Sequence, residues 1–178
     1  PDEYVSTYGS DVFRFYLMFG FSYTEGGPWN DDGIKAVTRF FDRVERAVDR
    51  AIACTGNRTG MDKAEKELNF VRHSTIKAVT EDMEHFSFNT AAARLMELTN
   101  AVYKYDAEAD QNPAFFRQTV RDLVFLLAPF APHFAEELNE RMGDTVSVFA
   151  QKYPVCDESA LVRDEVEIAV QINSKVKG

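Results

Sequence analysis

Five basic side chains recur at helical spacing between positions 35 and 50 and form a candidate binding surface. At about 100° per residue they project within roughly 80° of one another, so that a helix would carry them as one stripe. Guanidinium groups can bind phosphate oxygens through two hydrogen bonds at once, which suits them to contact with a nucleic-acid backbone. The members of this basic stripe are Lys35, Arg39, Arg43, Arg46 and Arg50.

An ordinary solvated helix face could carry the same residues. Asp42, Glu45 and Asp49 lie together on an adjacent flank, and ion pairs such as Asp42 with Arg46 would contribute only about a few tenths of a kcal/mol each. The chain has a formal net charge of −9, which argues against indiscriminate binding to nucleic acid. The residues alone therefore leave two interpretations open, a local RNA contact or a solvated surface.

The helix that would carry the stripe is predicted over residues 31–54. Asn30 can cap it, and Asp31 and Asp32 give it an acidic first turn. Its apolar residues alternate spacings of three and four, which is typical of an up-and-down bundle. They lie nearly opposite the stripe: Ile34, Val37, Phe41, Val44, Val48 and Ala51.

The same periodicity predicts helices on both sides of this one. A short helix closed by Gly9 precedes a second helix, which Ser10 would cap and which should be buried nearly all round. A third pattern runs from residue 61 to about Ser87, and Asn89 would cap the next helix. Together these patterns predict an all-α helical bundle.

Residues 112–143 predict two helices joined at a corner. Asn112 would cap the first, whose apolar face must be buried while Asp122 lies outside it. Pro129 should end this helix, and Pro132 suits the first turn of the second. The buried face comprises Phe116, Val120, Leu123, Val124 and Leu127.

Composition limits the other classes of function. With 178 residues and 45% hydrophobic content, the chain can bury one good core. It has no apolar run of about 18 residues and no charged-then-apolar leader, so we expect neither a membrane span nor secretion. We therefore expect a cytoplasmic location. Cys54 and Cys156 lack metal-site spacing, and we expect two reduced thiols and no bound metal or cofactor.

Five strings of this sequence together resemble one known family. Residues 126–138 read Leu-Leu-Ala-Pro-Phe-Ala-Pro-His-Phe-Ala-Glu-Glu-Leu, and residues 8–14 read Tyr-Gly-Ser-Asp-Val-Phe-Arg. Residues 39–44 are Arg-Phe-Phe-Asp-Arg-Val, residues 86–91 are Phe-Ser-Phe-Asn-Thr-Ala, and residues 170–177 are Val-Gln-Ile-Asn-Ser-Lys-Val-Lys. These strings, in this chain's order, resemble the leucyl-tRNA synthetase family within the class I aminoacyl-tRNA synthetases. The last string favours the leucyl family over its valyl and isoleucyl relatives.

The chain after residue 143 loses the helical period. Residues 165–173 alternate apolar and polar side chains, which predicts a half-buried strand entering a hairpin. Ser174 stands where the family has glycine, so the type of turn at Asn173–Ser174 stays open. We therefore expect a short C-terminal β extension that is either mobile or paired through its open edge with a second molecule.

The resemblance implies the anticodon-binding bundle of a bacterial leucine–tRNA ligase. Residues 1–29 would be a helical segment just after the catalytic core, 30–143 the bundle, and 144–178 an α/β linker with a truncated hairpin. The expected partners are leucine tRNA and the catalytic, editing and C-terminal domains of a longer chain. ATP and magnesium would act in that parent enzyme, because neither of the family's catalytic motifs occurs in this sequence.

By the same resemblance, the basic stripe would contact tRNA through shape and phosphates. Tyr103 and Tyr105 could stack on bases, although aromatic residues at helical spacing are more often core or rim residues. The alternative is a helical protein-interaction module whose arginines face an acidic partner. A freestanding enzyme is disfavoured, because the sequence has no clustered acid, base, nucleophile or metal set.

Overall fold

A computed structural model of the chain describes residues 1–108, 110–162, 171–172 and 175–176. Within these ranges the chain forms seven α-helices and two short 3₁₀-helices. The α-helices are α1 (Asp2–Tyr8), α2 (Ser10–Phe19), α3 (Asp31–Ala53), α4 (Lys63–Glu84), α5 (Phe88–Asp106), α6 (Pro113–Leu127) and α7 (Pro132–Arg141). The 3₁₀-helices are Val148–Ala150 and Glu158–Leu161. The prediction of an all-α bundle is confirmed.

The bundle is built around α6, which packs against α3, α4, α5 and α7. All five predicted inward residues of α6 are at most 1% exposed. The most extensive helix pair is α4 with α5, where Ala91 and Ala92 are fully buried and let the two backbones approach closely. One continuous apolar core therefore connects α2 through α7.

Two of the predicted caps are present and two are absent. The side chain of Asn30 accepts a hydrogen bond from the backbone of Asp32 (2.8 Å), and that of Asn112 from Phe115 (3.1 Å). Ser10 does not cap α2, because Gly9 at φ 86° turns the chain so tightly that Ser10 already belongs to the helix. Asn89 does not cap α5, which begins one residue earlier. Both of those predictions are wrong.

Asp11 supplies a cap that local sequence does not reveal. Its buried carboxylate accepts hydrogen bonds from the backbone N–H of Phe134 (2.7 Å) and from Nδ1 of His133 (3.0 Å). Ala131, the residue before α7, has no side-chain oxygen with which to cap that helix. Asp11 therefore joins α2 to the N-terminus of α7 across the fold.

The prediction that α2 is buried nearly all round is wrong. Val12, Phe15 and Tyr16 are buried, but Leu17 is 45% exposed. The prediction that Asp122 lies outside the core is also wrong, because its carboxylate binds Nε of Arg72 on α4 and is 5% exposed. In both places the packing of a neighbouring helix, which periodicity does not report, decides which side chains are covered.

The C-terminal β extension and the three-part division of the chain stay predictions. Residues 171–172 and 175–176 pair antiparallel, with Gln171 opposite Val176 and Ile172 opposite Lys175. Most of the predicted strand and the turn at residues 173–174 lie outside the described residues.

Candidate nucleic-acid interface

Helix α3 presents the basic stripe on the face turned away from the core. Its apolar face is sealed, with Ile34, Val37, Val44 and Val48 each fully buried. The other face carries the cations, four of which are exposed while Arg43 is half-buried. The structure therefore places all five predicted residues along one side of α3.

Arg43 is held against helix α5. Its guanidinium lies over the ring of Tyr103, 4.8 Å from the centroid, and its Nη2 donates to Oδ1 of Asn100 at 2.8 Å. The Tyr103 hydroxyl in turn donates to the backbone carbonyl of Arg43 at 3.0 Å. These three contacts fix both the side chain and the backbone of Arg43, so that this cation is preorganised in one orientation.

Arg46 lies one turn further along α3, beside the same tyrosine. The neighbouring Tyr103 hydroxyl is the main cause of a raised Arg46 pKa, and the carboxylates of Asp42 and Glu45 add to the effect. The predicted ion pair between Asp42 and Arg46 is not among the salt bridges of the described residues. Arg46 is exposed and therefore remains accessible to an incoming anion.

The two ends of the stripe are partly neutralised within the chain. Nη1 of Arg50 binds Oδ2 of Asp106 at 2.9 Å. Nζ of Lys35 binds Oδ1 of Asp32 at 3.1 Å, and this contact raises the pKa of Lys35. Because both cations are exposed, they can exchange these carboxylates for other partners at little cost.

Arg39 has no such partner in the parts of the chain that the structure describes. Its side chain is exposed, and no hydrogen bond or ion pair of a described residue involves it. Arg39 and Arg46 are seven residues apart, two helical turns, so that their guanidinium groups lie on the same side of α3. These two arginines are the most available anion-binding groups of the stripe.

The acidic flank beside the stripe is offset by a cation from another helix. Arg141 of α7 binds Oε1 of Glu45 at 2.7 Å and also binds Asp49. The contact with Glu45 is the largest cause of a raised Arg141 pKa. Arg141 thereby weakens the repulsion that these carboxylates would exert on a phosphate approaching α3.

Cations elsewhere are mostly held by carboxylates. Within the described residues such pairs are Arg58 with Glu65, Arg72 with Asp122, Lys77 with Glu158, Arg94 with Asp82, Lys104 with Glu67, and Arg121 with Asp144. In a chain with a net charge of −9, this pairing leaves few positive surfaces. Within the part of the chain that the structure describes, the basic stripe combines exposure with regular spacing.

Sequence reasoning missed how α5 supports the stripe. On α5, Asn100 contacts Arg43, Tyr103 contacts Arg43 and Arg46, and Asp106 contacts Arg50. The spacing of three between these α5 residues is the signal that could have indicated a shared face. Tyr105 points into the core and is 2% exposed, which excludes it as a base-stacking residue. One face of Tyr103 is already occupied by Arg43.

A family model described as the anticodon-binding domain of tRNA ligase matches residues 65–178. The chain belongs to this family. Helices α5, α6 and α7 of the bundle fall within the matched range, and so does Tyr103. The matched range contains three of the five strings that carry the resemblance, at residues 86–91, 126–138 and 170–177.

Curated relatives of this anticodon-binding domain are bacterial leucine–tRNA ligases. The ligase of Caldanaerobacter subterraneus subsp. tengcongensis is 58% identical over 99% of this chain, and that of Clostridium perfringens is 55% identical over 99%. A solved structure, the Agrobacterium radiobacter K84 agnB2 LeuRS in a ternary complex with tRNA and LeuAMS, matches with a TM-score of 0.83 and 31% identity. The structural match covers 99% of this chain and 24% of the ligase chain in that complex.

This anticodon-binding domain spans 22% of the length of those curated relatives. In the described part of the chain, none of the helices combines the length and apolarity that a bilayer crossing requires.

Proposed function

We propose that this chain binds tRNA as one region of a leucine–tRNA ligase, and that the basic stripe on α3 supplies the contact. The observation that carries the proposal is the pair of exposed arginines, Arg39 and Arg46, beside an Arg43 that α5 holds in place. The stripe would bind phosphates of the tRNA backbone and leave the bases unread. The similar ligase solved with tRNA supports this assignment.

The parent ligase would attach leucine to its tRNA with ATP, in the bacterial cytoplasm where protein synthesis uses the product. The partners of this region would then be leucine tRNA and the catalytic, editing and C-terminal domains of the same polypeptide. The described residues contain no group of three or more His, Cys, Asp or Glu side chains placed to hold a metal ion.

The test measures tRNA affinity as a function of salt. The double variant Arg39→Gln with Arg46→Gln, made in the full-length ligase, should weaken binding of leucine tRNA. It should also flatten the slope of log affinity against log salt by roughly 0.7 to 0.9 for each lost phosphate contact. Circular dichroism should show an unchanged fold, because both side chains are exposed.

The matched control removes the same charge elsewhere. Lys77→Gln with Lys104→Gln deletes two exposed, carboxylate-paired cations on α4 and α5, and should leave the salt slope unchanged. Equal slopes for the wild type and both variants would overturn the proposal. Undiminished tRNA binding together with loss of an acidic protein partner would instead favour the interaction-module alternative.

A further inference from the structure

Three aromatic rings form a cluster on the surface at one end of the bundle. Tyr23, in the loop between α2 and α3, lies 5.5 Å from Phe86 and 5.3 Å from Phe88, measured between ring centroids. Phe86 and Phe88, at the junction of α4 and α5, are 5.5 Å apart. Tyr23 is 66% exposed and Phe86 is 56% exposed. The rings of this aromatic triad meet edge-on or tilted, and two of them, Tyr23 and Phe86, remain largely open to solvent while Phe88 is half-buried.

Phe86 occupies a backbone position that suits glycine. The N–H of Ser87 donates to the carbonyl of Asp82 at 2.8 Å, and the N–H of Phe86 donates to that of Met83 at 3.2 Å. These are the two hydrogen bonds of a Schellman motif, in which the residue after the C-cap takes the left-handed conformation. Phe86 does so at φ 58°, which is sterically unfavourable for a side chain with a Cβ.

Strain of this kind is retained where a side chain is needed in a fixed position. Glycine or asparagine would close α4 with less strain, and an exposed phenylalanine gains little from the isolated bundle. The left-handed backbone directs the Phe86 ring against Tyr23 and Phe88. The conformation therefore assembles the triad from two separate segments of the chain.

Charge near the triad indicates the chemistry of its partner. Glu25, Glu81 and Glu84 are exposed and lie within five residues of Tyr23 or Phe86 along the chain. Exposed carboxylates this near to the rings along the chain repel RNA, which makes base stacking on the rings unfavourable. A polypeptide surface with an apolar side chain and flanking lysine or arginine residues would match both the rings and these carboxylates.

We propose that the aromatic triad docks such an apolar, basic-rimmed surface in another part of the ligase polypeptide. This inference rests on the proposed function, because it treats the chain as one region of a longer enzyme. The relatives are between four and five times longer than this chain, which covers 22% of them. The triad would then fix the orientation of the bundle relative to the rest of the ligase.

The experiment compares one substitution in two backgrounds. Phe86→Asn removes the ring and accepts the left-handed backbone. In the isolated chain the Tm should stay within about 2 °C of the wild type or rise above it. In the full-length ligase without tRNA the same change should lower the Tm of the transition that unfolds the bundle by more than about 2 °C, because a docked contact is lost. Tyr23→Ser, which leaves the backbone of Phe86 alone, should lower only the full-length Tm.

Phe149→Ser is the matched control, because Phe149 is 59% exposed and lies outside the triad. It should leave the full-length Tm unchanged. The inference is overturned by equal Tm shifts in both backgrounds, by an equal effect of the control, or by a loss of tRNA affinity without any change in Tm. It is also overturned if sedimentation shows that the triad pairs two copies of the isolated chain. The Tm comparison itself uses no RNA, so failure of the stripe test leaves this one intact.

Discussion

Arg46 and Arg58 have the same side-chain chemistry and opposite environments. Arg46 lies exposed on the basic stripe. Arg58 has a side chain that is 19% exposed, and its two terminal nitrogens bind both carboxylate oxygens of Glu65, which is fully buried. Burial thus decides the role of each arginine, since a desolvated cation must be paired and an exposed one is free to meet a ligand.

The polar network around Glu65 holds two connections of the bundle together. The hydroxyl of Tyr105 donates to Glu65 and accepts from the backbone N–H of Asn112 at 2.7 Å. Nδ2 of Asn112 donates to the carbonyl of Gly60 at 2.8 Å. The loop between α3 and α4 is thereby joined to the start of α6. Among the described residues no comparable network constrains Arg39 on the stripe, so that one region uses its charge within the fold and the other leaves its charge exposed.

The largest expected effect tests the structural side of this contrast. Glu65→Gln removes the buried counter-ion of Arg58, which keeps Asp62 (2.7 Å) and Asp110 (3.4 Å) as exposed partners, and should reduce the free energy of unfolding by about 1–3 kcal/mol. Arg46→Gln should leave the urea midpoint unchanged, because Arg46 is solvated. A similar shift for both variants would contradict the contrast.

The same carboxylate should make stability depend on acid pH. Burial raises the pKa of Glu65, but hydrogen bonds from Arg58, Asp62 and Tyr105 outweigh it and hold the pKa well below the ordinary 4.5. A carboxylate with a lowered folded pKa stabilises fully above its unfolded pKa and loses that contribution as the pH falls. The wild type should therefore lose stability below about pH 4.5, and Glu65→Gln should lack this component.

Local patterns predicted the parts of the fold that depend on neighbouring residues. The caps at Asn30 and Asn112 and the break at Pro129 follow from conformational preferences over a few positions. The basic stripe follows from the period of the helix alone. The family and the bundle were predicted as well, because the strings that carry the resemblance are contiguous.

Contacts between distant segments could not be predicted in this way. Asp11 and His133 are separated by 122 positions, and Arg72 and Asp122 by 50. A helical period identifies which side chains share a face, but not which helix covers that face. The support that Tyr103 gives to the stripe belongs to the same category, since α3 and α5 come together only through the fold of the whole bundle.

A smaller effect concerns the binding side of the contrast. Tyr103→Leu removes the ring beneath Arg43 and the hydroxyl beside Arg46. It should weaken tRNA binding by the full-length ligase about two- to fivefold, the range for an exposed cation–π contact. Tyr103→Phe keeps the ring and should retain most of the affinity. If Leu and Phe behave alike, the ring does not position Arg43.

The smallest expected effect applies the contrast between buried and exposed charged groups to a buried histidine. His73 on α4 is 8% exposed, and its Nδ1 accepts the backbone N–H of Asp157 at 3.0 Å, which secures the 3₁₀-helix Glu158–Leu161. Burial lowers the pKa of His73 below the ordinary 6.5 and nearby Arg72 adds to this, while Asp157 and Asp122 oppose it. Protonation would remove the acceptor and release that segment.

Because the folded pKa of His73 is lowered, the unfolded chain takes up its proton first as the pH falls. Stability should therefore be full above about pH 6.5 and decline below it, at a higher pH than the loss expected from Glu65. His73→Asn offers an oxygen acceptor that does not titrate, and should abolish the decline between pH 6.5 and 5 in thermal unfolding. If the decline persists in this variant, another titrating group causes it, and the burial of His73 does not make the stability of the fold depend on pH.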